Sequence, residues 1–184
     1  MSVSVQGAFY SEIGIGAIWD RAHFQSIIDF DTWQQELSED MDIIRHIKAG
    51  AFVPLCTHSE DVFGWQVRVG NKMSPAVLTP REEEYLILTS HPYLLRATGD
   101  VYLSNSENVC GQPASDVAQL SIPQGSYAVT VTLLDWEKDP KAKDKYGFPT
   151  RDVLPDFLIL VNPFIGERGD FRTNPETFDD PVPG

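Results

Sequence analysis

A chain of 184 residues with 42% hydrophobic and 11% aromatic content carries enough apolar material for a packed core of ordinary domain size, which excludes an intrinsically disordered chain. Lys and Arg number 14 against 27 Asp and Glu, a formal net charge of −13, so direct contact with nucleic-acid phosphates or an anionic membrane is disfavoured and a basic protein partner is favoured. No apolar run approaches the ~20 residues of a membrane-spanning helix, the opening MSVSVQ lacks the regions of a secretion signal, and a cytoplasmic location is expected.

Residues 3–10 alternate well enough for a first strand, with Gly7 read as a bulge. Residues 12–30 show no clear period. Gly14 and Gly16 lack both the third glycine of a dinucleotide loop and the Lys-Ser/Thr of a P-loop, and so read as a turn or bulge. The clearest helix spans 32–48, with Asp31 as N-cap, Gln34 as its capping-box partner and Gly50 as the left-handed stop. Trp33, Leu37, Met41, Ile44 and Ile47 make its apolar stripe. Glu36, Glu39, Asp40 and Asp42 fill the early turns and Arg45, His46 and Lys48 the last, complementing the helix dipole, with His46 serving as a dipole-compensating residue. Ser38 can recap a second, shorter helix, which places a possible break near 37–39.

Beyond the helix the pattern is strand-like. Residues 51–56 are apolar but interrupted by Pro54, an edge-strand signature. In 62–69, Phe63, Trp65, Val67 and Val69 share a core-like face. A loop follows over 71–81, and Glu82, Glu83 and Glu84 are expected to hold it in water. Strands are read at 85–89, 93–97 and 101–104. Over 117–134 two alternating runs flank Pro123, Gln124 and Gly125, which predicts a β-hairpin at the centre of an antiparallel sheet. The loop at 137–152 holds Lys141, Lys143 and Lys145 beside Tyr146 and Phe148, a candidate contact surface. Its bracketing acids Glu137, Asp139, Asp144 and Asp152 argue against a nucleic-acid patch. The near-continuous apolar run at 154–161 reads as a central strand covered on both faces. Residues 164–184 form a Pro-rich tail, draped or disordered, beyond a single β-rich domain at 1–163. The fold class expected is mainly β (α+β): an antiparallel β-sandwich or flattened barrel of about eight to ten strands with one amphipathic helix on its side.

Chemistry is sparsely signalled. His23, His46, His58 and His91 stand in no zinc-type pattern, and no metal or cofactor is expected. Cys56 and His58 share a strand face at i, i+2, so a hydrolase with Asp61 as the distant carboxylate is one alternative. The apolar run before Cys56 instead favours burial, and Cys56 and Cys110 read as unpaired thiols, with one disulfide as the alternative. With no nucleophile elbow, kinase set or Cys-x-x-Cys, the balance leans away from an enzyme.

The phrase Leu120-Ser-Ile-Pro-Gln-Gly-Ser-Tyr127, with the alternating β-branched residues after it, resembles a strand–turn–strand of small acidic bacterial nuclease inhibitors of the competence-protein J type. The resemblance is confined to that stretch and implies an inhibitor, with no functional residue carried over. Together these readings predict a non-enzymatic acidic binding protein, of immunity or nuclease-inhibitor type, that occludes a basic partner. Glu36, Glu39, Asp40 and Asp42 would form its acidic face, with Trp19, Trp33 or Trp65 as the aromatic anchor. A β-domain of purely structural role is the remaining alternative.

Overall fold

The computed structural model describes residues 3–57, 59–166 and 169–178. Two sheets and three short helices make up the fold, a mainly β architecture as the strand periodicities predict. The larger sheet runs β1 (Val3–Ser11), β4 (Asp61–Val69), β10 (Phe157–Pro163), β9 (Gly125–Leu134), β5 (Leu86–Thr89), with β6 (Tyr93–Ala97) pairing the same side of β9 as a second short neighbour. The smaller sheet runs β3 (Phe52–Cys56), β2 (Ile15–Asp20), β7 (Val101–Asn105), β8 (Ala118–Leu120). All neighbours are antiparallel except β4 and β10, which are parallel.

The main core lies between the sheets. Ile18 and Leu103 meet Trp65, Val67, Val129, Val131 and Ile159 there, while Trp19 and Phe52, on the other face of the smaller sheet, pack on Phe24, all buried. A second cluster, Ala76, Leu134, Leu154, Leu158 and Leu160, covers the far side of the larger sheet. β10 is therefore buried on both faces, which is why its sequence is apolar without alternation.

The predicted hairpin at 117–134 does not form. β8 pairs only with β7 in the smaller sheet, whereas β9 lies in the larger one. Both edges of β9 are taken, by β10 on one side and by β5 and β6 on the other, so no site is left for β8. Residues 121–124 instead carry the chain from one sheet to the other. Ile122 plugs the core at this crossing, and the Tyr127 hydroxyl donates to Pro123 O at 2.8 Å.

Other expectations are also corrected. Gly7 is no bulge: it pairs in unbroken register with Trp65, and a Cβ there would lie 2.6 Å from the indole. Residues 15–20, read as irregular, are the central strand β2. The helix at 32–48 does break near 37–39, into α1 (Phe30–Leu37) and α2 (Asp40–Ala49), but the extended residue that starts the second is Glu39 rather than Ser38. The cap of α1 is Asp29 rather than Asp31, in a reciprocal capping box with Thr32. Because α2 restarts the helical phase, Met41 falls outward while Ile43 and His46 turn in with Ile47.

Glu82 does not hold its segment in water. It sits buried in α3 (Pro80–Glu84), where its carboxylate pairs with Arg68 at 2.7 Å and accepts from Thr79 N at 2.7 Å. Burial alone would raise its pKa, but those hydrogen bonds and the guanidinium charge outweigh it and hold the carboxyl below its ordinary range.

Part of the expected tail, 167–168 and 179–184, lies outside the described residues. Residues 169–178 run back over the domain. Tyr93 Oη donates to Asn174 O and accepts from Glu176 N, Thr177 bridges to Cys56, and Phe178 N donates to Cys56 O at 2.7 Å. The Phe178 ring enters the core edge-on to Phe157, with centroids 5.5 Å apart. Phe178→Ala is expected to lower stability by about 3–5 kcal/mol in urea denaturation, the range for deleting a buried phenyl ring.

Candidate functional site

The loop after β1, the chain on either side of Asp29, and the segment after β7 converge at one end of the sandwich. A 3-10 turn at Ser106–Asn108 is drawn against the start of α1 because Gly111 N donates to Ile27 O at 2.9 Å and the Trp33 indole donates to Ser106 O at 2.8 Å. A side chain at Gly111 would strike the backbone of Gln25, so only glycine permits this approach.

The result is a groove of about 530 Å³. Its floor is buried Ile27 and Val109, with the half-buried Trp33 on one wall. Ile13, Ile28 and Phe30 stand around it at 51%, 78% and 70% exposure, a contiguous apolar surface facing water. The rings of Phe30 and Trp33 stack at 6.0 Å between centroids, which fixes both.

The rim is acidic. Glu107 is held by three donors: Glu12 N at 3.2 Å and Ser11 Oγ at 3.5 Å on one oxygen, Ser106 Oγ at 3.1 Å on the other. Asp29 accepts from Thr32 Oγ1 at 2.7 Å and Thr32 N at 2.9 Å, which keeps its pKa below the usual carboxylate value. Glu12 is exposed beside them. Just outside the groove the Tyr10 hydroxyl donates to Glu60. That bond, partial burial and the charges of Glu60, Glu12 and Glu107 push the Tyr10 phenol up to about 12. Four segments thus bring concentrated negative potential to one apolar surface.

The acids singled out in the sequence are arranged differently. Glu36 and Asp42 both pair with Arg45, at 2.8 and 3.3 Å, and Glu36 also meets His46 Nε2 at 3.1 Å. Half of the expected acidic face is therefore compensated, while Glu39 and Asp40 remain exposed. His46 is buried against the Phe24 ring rather than compensating the dipole at the surface. Of the three candidate anchors, Trp19 and Trp65 are core residues, and only Trp33 reaches the surface.

The 137–152 loop is ordered by Asp139 and Asp144, which cap its turns. Lys143 lies over Trp136 at 5.5 Å and Lys145 over Tyr146 at 4.8 Å, and Tyr146 and Phe148 are exposed beside exposed Lys141. The structure does not bring this loop together with the acidic helix residues or the groove.

The hydrolase alternative finds no support at its nucleophile. Burial, with the Asp40 charge adding, pushes the Cys56 thiol up to about 12, so it stays protonated at neutral pH. His58 lies outside the described residues. Cys56 and Cys110 are unpaired. Among the described residues no three His, Cys, Asp or Glu are placed to hold a metal, and no helix is long and apolar enough to cross a membrane.

The chain matches no family model and no curated protein in sequence. In shape it is similar to a solved structure described as Crocagin biosynthetic gene J, with a TM-score of 0.55 and 15% identity over 91% of this chain and 98% of that one. That likeness establishes a shared fold. A crystal structure of ComJ, inhibitor of the DNA degrading activity of NucA, from Bacillus subtilis, aligns at a TM-score of 0.49 and 9% identity over 89% of this chain and 99% of that one.

The buried imidazole makes the helix pair sensitive to pH. Burial lowers the pKa of His46 below 6.5, with Arg45 adding and Glu36 only partly opposing. A group whose folded pKa is depressed supports the fold above its unfolded value. That support is lost as pH falls from about 6.5 through the folded pKa, because the unfolded chain takes up the proton first. Urea denaturation at pH 7.5 and 5.5 is expected to show this loss in the native protein and a smaller one in His46→Gln.

Proposed function

We propose that the protein binds a cationic protein through the groove beside α1 and occludes that partner's basic site. A nuclease-inhibitor or immunity role is the concrete form. The observation that carries this reading is the pairing of the exposed apolar residues Ile13, Ile28 and Phe30, beside half-buried Trp33, with the carboxylates of Glu12, Asp29 and Glu107 on the rim. Such a surface suits a segment that presents one apolar side chain flanked by Lys or Arg. The apolar anchor supplies affinity by leaving water, and the carboxylates supply orientation and rapid encounter. Glu39 and Asp40, and the field of a chain carrying −13, extend the attraction beyond the groove.

The mechanism is occlusion rather than chemistry. Lys and Arg side chains that a nuclease uses to hold phosphate would pair with the rim carboxylates, in charge-assisted hydrogen bonds that substrate can no longer claim. Glu107 and Asp29 are suited to this because their own hydrogen bonds already fix them, so little side-chain freedom is lost on binding.

Affinity capture from the native host tests the proposal. The wild-type protein is expected to retain a basic protein, less of it as salt rises. Phe30→Ser and Trp33→Ser are each expected to cost about 2 kcal/mol or more of that affinity, and the combined Glu12→Gln, Glu107→Gln change to flatten its salt dependence. Retention of no basic protein, or equal retention by all the variants, contradicts the proposal.

A further inference from the structure

The strand edges are mostly blunted. β3 contains Pro54, is fully buried and has Thr177 beside its end. β8 and β5 are three and four residues long. β6 is met by Gly50 O and, near its start, by Arg172 N on Pro92 O. β1 is different: nine residues, VSVQGAFYS, without a charge or a proline, at a margin of the larger sheet where no described strand pairs with it. Natural sheets avoid such an edge unless it has a use.

The direction of its backbone groups follows from its neighbour. Gly64 N donates to Asp156 and Gly70 N to Val161 O, so the even-numbered positions along β4 turn their backbone groups toward β10. Ser4, Gln6, Ala8 and Tyr10 lie opposite Arg68, Gln66, Gly64 and Val62, and so turn theirs away from β4. Tyr10 O is met by Asn105 Nδ2 at 2.9 Å. Ser4, Gln6 and Ala8 are exposed, and their N–H and C=O groups meet no hydrogen-bond partner among the described residues.

We propose that this edge pairs with the same edge of a second copy, in an antiparallel two-fold dimer that continues the larger sheet across the axis. An axis at Gln6 sets Gln6 opposite Gln6 and Ser4 opposite Ala8 of the second copy, closing about six backbone hydrogen bonds. One feature favours a second copy over another occupant. Each chain carries −13, yet the nine residues brought to the axis carry no charge, so two copies can meet along this line without setting like charges of the strand against each other.

Sedimentation velocity on the full chain, from micromolar to near-millimolar concentration, tests this. The expected result is a concentration-dependent doubling of mass. Amide exchange at Ser4, Gln6 and Ala8 should slow as the dimer forms, while Val5 and Gly7, bonded to β4, stay slow throughout. Gln6→Pro removes an N–H that the single chain does not use, and should weaken association at least about tenfold with an unchanged far-ultraviolet spectrum. Gln6→Lys, which keeps the backbone intact should the proline disturb folding, places two ammonium groups face to face and should weaken it likewise. Mixing Gln6→Lys with Gln6→Glu should restore the dimer. A monomer at every concentration overturns the proposal, as does a dimer that survives both substitutions or that is lost only in Phe30→Ser.

Discussion

The insertion of β10 between β4 and β9 is the constraint on which the remaining structure depends. It is the last strand among the described residues, and it joins the β1–β4 pair on one side to β9, β5 and β6 on the other. Phe157, Leu158, Ile159, Leu160 and Val161 are all buried, so both faces of the sheet must be covered around them. The smaller sheet covers the inner face, and the 76–85 and 134–154 segments cover the outer one. A carboxylate marks its beginning: Asp156 accepts from Gly64 N at 2.6 Å and from the Trp136 indole at 2.9 Å, with a pKa raised by burial. That side chain ties β4, β10 and the loop after β9 together at the point where the parallel pair begins.

The same arrangement positions the groove. With β10 and β9 occupying the centre, β1 is left at the margin, and its continuation through Glu12 and Ile13 turns into β2 of the opposite sheet. Glu107, following β7, reaches that turn by hydrogen bonds to Ser11 and Glu12, and Trp33 reaches Ser106 from α1. The apolar walls are therefore held by the scaffold, although Ile28 and Phe30 gain little from it in burial. Exposed Ile28 and Phe30 contribute little to folding stability, and a binding role gives that exposure a reason.

What could be read in the sequence follows from how local each signal is. β4 and β9 alternate over most of their length and β10 is nearly continuously apolar, so each announces both its conformation and its burial. β2 is hidden because its residues from Gly16 to Asp20 are buried on both faces, which removes the alternation, and because Gly16 interrupts the run where the Phe9 ring needs the space. The turn chemistry of Pro123 and Gly125 was legible as a change of direction. Which strand lay beyond it was not, because that depends on whether an edge of β9 is free. A helix was visible from its apolar spacing and Ser38 signalled a break, but the new phase that starts at Glu39 was not legible. The groove was the least legible feature: Glu12, Asp29 and Glu107 come from separate segments, and Phe30 looks like one more apolar residue before a helix.

The central claim is that the groove beside α1 is where a cationic protein docks. Amide hydrogen exchange, measured on the chain alone and in complex with the basic protein it retains, addresses that claim directly. The account predicts new protection at 12–13, 27–33 and 107–110, with the 137–152 loop unchanged. Protection confined to 137–152, with the groove exchanging as fast as in the free protein, would contradict it.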